Sequence, residues 1–319
     1  MRKVLFAALL LVSGLVVNAQ QEYQVSQNMF NSAAINPGAA GINNAICAQL
    51  IGRQQWMGFE GAPQTYILNV NANLGVFNLP DNIGAGLTMY QDIIGAGYST
   101  TAKLSGNYQL GLANGAKLGL GIDLGIISAG IDPTQLNASQ LGDNTLYALL
   151  NSNSTVTGST FTGGVGGFYQ ASNLYFGVST SQILESETVH ESASIQLRRH
   201  YYITGGYETQ PFMGGDIVLK PSIFIKTDGA VTTLDAAVIG EYQNLIWLGA
   251  SYRTGDAIVA MTGLNIVSSK MKVGLAYDFT TSDISTTSSS GSAELFIRYC
   301  HSIEVKTKKR IFVDPSLLQ

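Results

Sequence analysis

The sequence predicts an all-β protein, a transmembrane antiparallel β-barrel of about 14 strands with a partly plugged lumen. Three observations predict it. Between Leu118 and Ile126 the chain reads Leu-Gly-Leu-Gly-Ile-Asp-Leu-Gly-Ile, an aliphatic stripe with the two-residue period of a strand that has one lipid-compatible face. Comparable stripes recur along most of the chain. Downstream of Ala19 every apolar run is interrupted by charges, glycines, prolines or amides before it reaches the ~20 residues a membrane-spanning helix needs, so any membrane span has to be made of strands.

Residues 1–19 read as a signal peptide. Arg2 and Lys3 precede an apolar run from Val4 to Val17, and Val17-Asn18-Ala19 supplies small residues for cleavage. The mature chain is expected to start at Gln20 or Gln21 and to lie in the outer membrane. Residues 20–44 are a candidate lumen filler, 45–305 the barrel, and 306–319 a periplasmic tail carrying Lys306, Lys308, Lys309 and Arg310.

Composition agrees. The chain has 36 glycines and 15 tyrosines but only 12% charged residues, a balance that favours strands and turns over exposed helices. Loss of Arg2 and Lys3 reduces 17 basic residues to 15 against 21 acidic ones, taking the formal charge from −4 to −6. That excludes nucleic acid as an expected partner.

Period-two runs bounded by turn residues start near Ala45, Gln64, Asn82, Tyr98, Ala116, Phe161, Leu174, Arg199, Gly215, Val231, Ile246, Ala257, Lys270 and Ser292. The even count suits a closed barrel with both termini on one side. Connection lengths check it independently. Asn114-Gly115, Ser172-Asn173, Gln243-Asn244 and Ser268-Ser269 read as tight hairpins at one end. The long polar stretches near 130–160, 183–198 and 281–291 all fall at the other, exterior end, although Asp228-Gly229 and Thr254-Gly255-Asp256 there are short.

Alternation assigns the faces. Leu118, Leu120, Ile122 and Leu124, with Ile223, Val238, Leu275, Phe279, Leu295 and Tyr299 on other strands, point to lipid. The lumen receives Arg53, Asp123, Lys220, Lys226, Asp235, Glu241, Arg253, Lys272, Asp278, Glu294 and Arg298, together with Asp216. A charge on the lipid face near the midplane costs about 2–4 kcal/mol, so this segregation supports the register. Pro221 lacks a ladder donor and is expected at a strand end or bulge.

No catalytic constellation emerges, and the chain is expected not to be an enzyme. His190, His200 and His301 sit in a loop, at a strand start and near a strand end, with no serine or acid placed for acyl chemistry. No metal-ligand spacing appears, and no cofactor is expected. Gly119, Gly121 and Gly125 fall inside a strand with no helix following, which argues against a dinucleotide fingerprint; inward glycines instead leave room for an aromatic or a packed interior segment. Cys47 and Cys300 lie near the two ends of the patterned region, where they either pair across the closing seam or remain unrelated buried thiols.

The opening Gln24-Val25-Ser26-Gln27-Asn28-Met29-Phe30-Asn31 and Ile35-Asn36-Pro37-Gly38-Ala39-Ala40-Gly41 resembles that of the PorP/SprF family of Bacteroidetes. The resemblance continues through Arg53-Gln54-Gln55-Trp56-Met57-Gly58-Phe59-Glu60-Gly61-Ala62-Pro63, then Arg199-His200-Tyr201-Tyr202, Tyr252-Arg253-Thr254-Gly255-Asp256 and Tyr277-Asp278-Phe279, in family order. One departure is Tyr299-Cys300-His301 in place of Tyr-Asp-Phe at the last strand. The resemblance implies an outer-membrane component of the type IX secretion system, with other secretion components and a secreted cargo or adhesin bearing a C-terminal sorting domain as partners. Trp56, Phe59 and Pro63 are candidate docking residues, since buried aromatics carry a large share of interface energy; Trp56 fits a membrane-edge aromatic girdle equally well. The alternative reading of the same architecture is a channel for small or hydrophobic solutes.

Overall fold

Each of the long alternating segments becomes a strand. The computed structural model describes residues 22–58, 60–77, 79–112, 115–132, 156–190, 193–266, 270–282 and 290–302. Its strands are β1 Ala45–Gln54, β2 Gln64–Asn73, β3 Ile83–Ile94, β4 Gly97–Gly111, β5 Lys117–Ile131, β6 Val156–Gln170, β7 Leu174–Ser181, β8 Glu187–His190, β9 Ala193–Gln196, β10 His200–Tyr207, β11 Ile217–Thr227, β12 Thr232–Tyr242, β13 Ile246–Arg253, β14 Ala257–Ile266, β15 Met271–Thr280 and β16 Ser292–Ser302.

Among the described residues, all but β8 and β9 form one closed barrel of 14 strands, each antiparallel to its neighbours, with β1 against β16 completing the ring. Cys47 lies directly opposite Cys300 in that seam and the two form a disulfide.

The turns follow local chemistry. At the β12–β13 hairpin Gln243 and Asn244 both have positive φ, +49° and +52°, and the Leu245 N–H donates to the Tyr242 carbonyl at 2.9 Å, the two-residue turn whose twist matches flanking strands. At the opposite end Asp228 Oδ1 accepts from the N–H groups of Ala230 and Val231 at 2.9 and 2.7 Å, and Gly229 takes φ +89°.

Alternation separates two surfaces. Leu104, Leu124 and Phe161 are 65–70% exposed on the outside, whereas Trp247, Val259 and Phe296 are fully buried facing inward. The outside is the lipid-compatible band.

Residues 22–44 run along the inside of this ring, through 3-10 turns at Asn28–Phe30 and Pro37–Ala39 and one α-helical turn at Ser32–Ile35. Glu22 meets Ser181 and His200, at the long-loop ends of β7 and β10. Ile42 and Asn44 meet Lys117, at the short-turn end of β5. The segment therefore traverses the lumen.

Four expectations are corrected. β6 begins at Val156, five residues before the expected Phe161, because Thr157-Gly158-Ser159-Thr160 has no aliphatic stripe yet continues to pair with β5. The stretch 183–198 contains the β8–β9 hairpin. Asp216 is not a lumen charge; it sits at the turn before β11 and accepts from Gln243 Nε2 at 3.0 Å. Pro221 is neither a strand end nor a bulge: it pairs with Val238 of β12 in unbroken register. Its missing donor is tolerated because the β10–β11 ladder stops one residue away, at Gly206 opposite Ser222. The signal peptide, the basic tail, Asn114, Ser268-Ser269, and most of the 130–160 and 281–291 stretches lie outside the described residues.

Candidate functional site

Among the described residues the lumen holds a dense set of polar side chains, and they come from strand positions that alternate one by one with the lipid-facing aliphatics. At the long-loop end, Arg53 Nη2 meets Asp278 Oδ2 at 2.8 Å and Arg253 Nη1 meets the same oxygen at 2.9 Å. Arg253 also binds Asp235 at 2.9 Å and Asp256 at 3.1 Å, while Arg53 reaches Glu294 at 3.5 Å. Two guanidiniums thus face four carboxylates.

The interior segment makes up the difference. The backbone N–H groups of Ser26 and Gln27 donate to the two Glu294 oxygens at 2.7 and 2.9 Å. The Ser26 hydroxyl donates to Asp278 at 2.7 Å and accepts from Arg53 at 2.7 Å and Arg253 at 3.0 Å. Gln24 and Asn28 amides reach Asp235 at 3.2 and 3.3 Å. Buried charges persist only when their remaining lone pairs and protons are satisfied, and here a piece of the chain's own N-terminal region satisfies them.

Farther down, Phe30 inserts between Phe296 and Trp247, with ring centroids 5.0 and 5.3 Å away; each such pair contributes about 0.5–1.5 kcal/mol beyond its burial. Asn36 Nδ2 donates to the carbonyls of Gly167 and Val178, and Asn107 Nδ2 to those of Pro37 and Ala40 at 2.8 and 2.7 Å. Gly38 passes so near the wall that a Cβ on it would lie 2.6 Å from the Gly119 carbonyl oxygen, and a Cβ on Gly121 would lie 2.6 Å from Pro37. Those wall glycines make room for the interior segment, whereas Gly125 lies against the neighbouring strand, at the Ala102 carbonyl and Lys103.

The other charges singled out from sequence occupy separate places. Asp123 faces Lys103 at 3.8 Å in the middle of the wall. Lys226 donates to the Glu22 carbonyl at 2.9 Å. Toward the short turns Glu241 is held between Lys220 at 3.2 Å and Lys272 at 3.1 Å, and Arg298 Nε lies 3.1 Å from Cys300 Sγ. Sequence reasoning passed over Ser26, Lys103, Asn107, His200 and Trp247 as members of this lining. The signal for Trp247 was available, because Ile246 and Leu248 take the outward positions on either side of it.

The chain's own residues 22–44 thus occupy the inside of the barrel and bond to its wall. A family model described as type IX secretion system membrane protein PorP/SprF matches residues 17–299.

The chain belongs to that family.

No curated protein matches the sequence. Solved structures that resemble this PorP/SprF chain are outer-membrane barrels. KdgM porin has a TM-score of 0.39 at 7% identity, covering 79% of this chain and 98% of its own. A TodX monoaromatic hydrocarbon channel mutant has 0.45 at 11%, covering 81% and 90%. The Ralstonia pickettii toluene transporter TbuX has 0.45 at 10%, covering 83% and 91%.

In this PorP/SprF barrel the loop between β1 and β2 is tied to its neighbours. The Trp56 N–H donates to Ser292 Oγ at 3.0 Å, the Met57 N–H to the Gly291 carbonyl at 2.7 Å, and the Gly95 N–H to the Gly61 carbonyl at 2.9 Å. Trp56 is half-buried with φ +47°, Pro63 is buried, and Phe59 lies outside the described residues. A tryptophan in the left-handed region is uncommon and needs its surroundings to hold it there.

Proposed function

We propose that the protein is a non-conducting barrel of the type IX secretion system, inserted in the outer membrane after signal-peptide cleavage, which docks or anchors secreted cargo or an adhesin bearing a C-terminal sorting domain at the cell surface. The observation that carries this reading is the filled lumen. At the long-loop end the interior carboxylates Asp235, Asp278 and Glu294 are committed to the chain's own residues 24–28, and farther down Glu241 is committed to Lys220 and Lys272, so these charges are not offered to a solute path and the loop end becomes the working surface. Other components of the secretion system are its expected partners at the membrane, with lipid around the aliphatic band.

Trp56 is the docking residue of choice at that surface. Its strained φ and its tether to Ser292 hold a large aromatic at the rim, where preorganised side chains contribute most to binding. Pro63, being buried, braces the loop from below.

Two measurements test the proposal. Purified protein in planar bilayers is expected to show no steady conductance, and pull-down from the native outer membrane is expected to recover a large secreted protein. Steady conductance or uptake of a small solute, with no such partner, would establish the channel reading instead. Trp56→Ala is expected to release cargo from the cell surface while the barrel stays intact; full retention removes Trp56 from the interface.

A further inference from the structure

The closing seam carries chemistry of its own at the short-turn end. Cys47 and Cys300 stand two residues from the start of β1 and the end of β16, opposite each other and bonded. Arg298, two residues back along β16 on the same inward face, lays its guanidinium against both sulfurs. Its Nε donates to Cys300 Sγ at 3.1 Å and its Nη2 to Cys47 Sγ at 3.8 Å. Sulfur is a weak acceptor, a poor match for a cation withdrawn from water. Arg53 and Arg253 meet carboxylates instead, and the carboxylate of this end of the lumen, Glu241, is held by Lys220 and Lys272. Lys272 lies directly opposite Arg298 in the β15–β16 ladder, so it adds like charge rather than relieving it. A guanidinium poorly matched while the sulfurs are joined becomes well matched once one of them is negatively charged.

We propose that the Cys47–Cys300 bond is exchangeable in the folded barrel: a dithiol in the water at the short-turn mouth reduces it, and Arg298 stabilises each thiolate as it departs. A neighbouring guanidinium favours the thiolate over the thiol, and a thiolate so favoured leaves faster and makes the reduced state easier to reach. The two sulfurs differ in access. Cys47 is only 3% exposed, whereas Cys300 is half-buried beside the exposed His301 and Ser302. The incoming thiolate therefore attacks Cys300 Sγ; the S–S bond breaks, and its electron pair leaves on Cys47 Sγ, which faces Arg298 Nη2. The second thiolate of the dithiol then attacks the first, forming its own cyclic disulfide, and the electron pair of the mixed disulfide leaves on Cys300 Sγ, which faces Arg298 Nε. The dithiol is oxidised by two electrons, the two cysteines are reduced, and the protons the dithiol gives up pass to the solvent or to the new thiolates. The β1–β16 ladder, which runs from Ala45 to Gln54, does not depend on the bond, so reduction opens the covalent loop without opening the barrel.

The purified full barrel in detergent tests this. It is equilibrated at pH 8 with mixtures of reduced and oxidised dithiothreitol and quenched with acid; free thiols are then counted by a maleimide that retards the band, while an unheated sample reports whether the barrel is still folded. The wild type is expected to become reduced while its folded band persists. Arg298→Gln is expected to need about tenfold more reduced over oxidised dithiothreitol to reach half-reduction, because the thiolates lose their cation, and Arg298→Lys is expected to recover most of that difference. Reduction of the wild type only as the folded band disappears overturns the proposal, and that result is read without any variant. An unchanged midpoint in Arg298→Gln, or a midpoint in Arg298→Lys no different from that of Arg298→Gln, overturns the role given to the guanidinium.

Discussion

Ser26 is a small residue at the centre of a large electrostatic arrangement, its hydroxyl shared among Asp278, Arg53 and Arg253. Truncating it leaves those groups less well satisfied rather than unpaired, so Ser26→Ala is expected to lower stability by about 1–3 kcal/mol, the penalty of a buried group losing one partner. Asp278→Ala removes the common acceptor of both guanidiniums, leaving Arg53 with the Ser26 hydroxyl and only a longer contact to a carboxylate, Glu294, and is expected to be worse, about 3–5 kcal/mol. Urea titration of the folded, unheated band on gels orders the two; equal effects would mean the cluster does not depend on its acceptor. The lining charges were legible in sequence because the aliphatics between them had to face lipid. Ser26, Asn36 and Asn107 were not, because an amide or hydroxyl inside a barrel looks the same in sequence whether it meets water or a plug.

At the scale of elements, the stripes specified the strands. Expected and observed starts agree within two residues except for β6, whose first turn of pairing is made of Thr, Gly and Ser and is held by β5 rather than by its own pattern. The hairpin β8–β9 and the path of residues 22–44 depend on long-range contacts that no local period announces. Wall glycines illustrate the limit: Gly119 and Gly125 each stand between aliphatics, yet one meets Gly38 of the interior segment and the other Ala102 and Lys103 of the neighbouring strand. Gly38→Val is therefore expected to displace the interior segment, since the backbone it would strike cannot yield; new proteolytic cleavage within residues 22–44 of the purified barrel reports this, and unchanged resistance would contradict it. The β11–β12 turn carries a pH signature. Burial tends to raise the Asp228 carboxyl, but donation from the Val231 and Ala230 N–H groups outweighs it and holds the carboxyl below its ordinary value. The sign follows from linkage: a group depressed in the folded state stabilises above its ordinary value and loses that contribution as pH falls through the depressed one. Asp228→Ala is expected to lower the unfolding midpoint at pH 7 and to lower it progressively less as pH falls below the ordinary carboxylate range.

For the whole molecule, alternation, connection parity and composition together made the barrel readable, because a closed sheet in lipid must repeat one pattern around its circumference. Residues 20–44 already read as a candidate lumen filler in the sequence, but the route that residues 22–44 take along the wall is a property of the closed ring. Cys47→Ser is expected to leave a folded barrel that unfolds more readily, by roughly 2–5 kcal/mol, and to abolish the mobility difference between reduced and non-reduced samples on denaturing gels.

The bond between Cys47 and Cys300 also changes what kind of object the chain is. With it in place, residues 47–300 form a covalent hoop, and residues 22–44 pass back through the hoop's own bore. Tension applied by a tethered load at the rim is then distributed around a loop with no free end, and the outermost strands cannot peel apart like the margins of an open sheet.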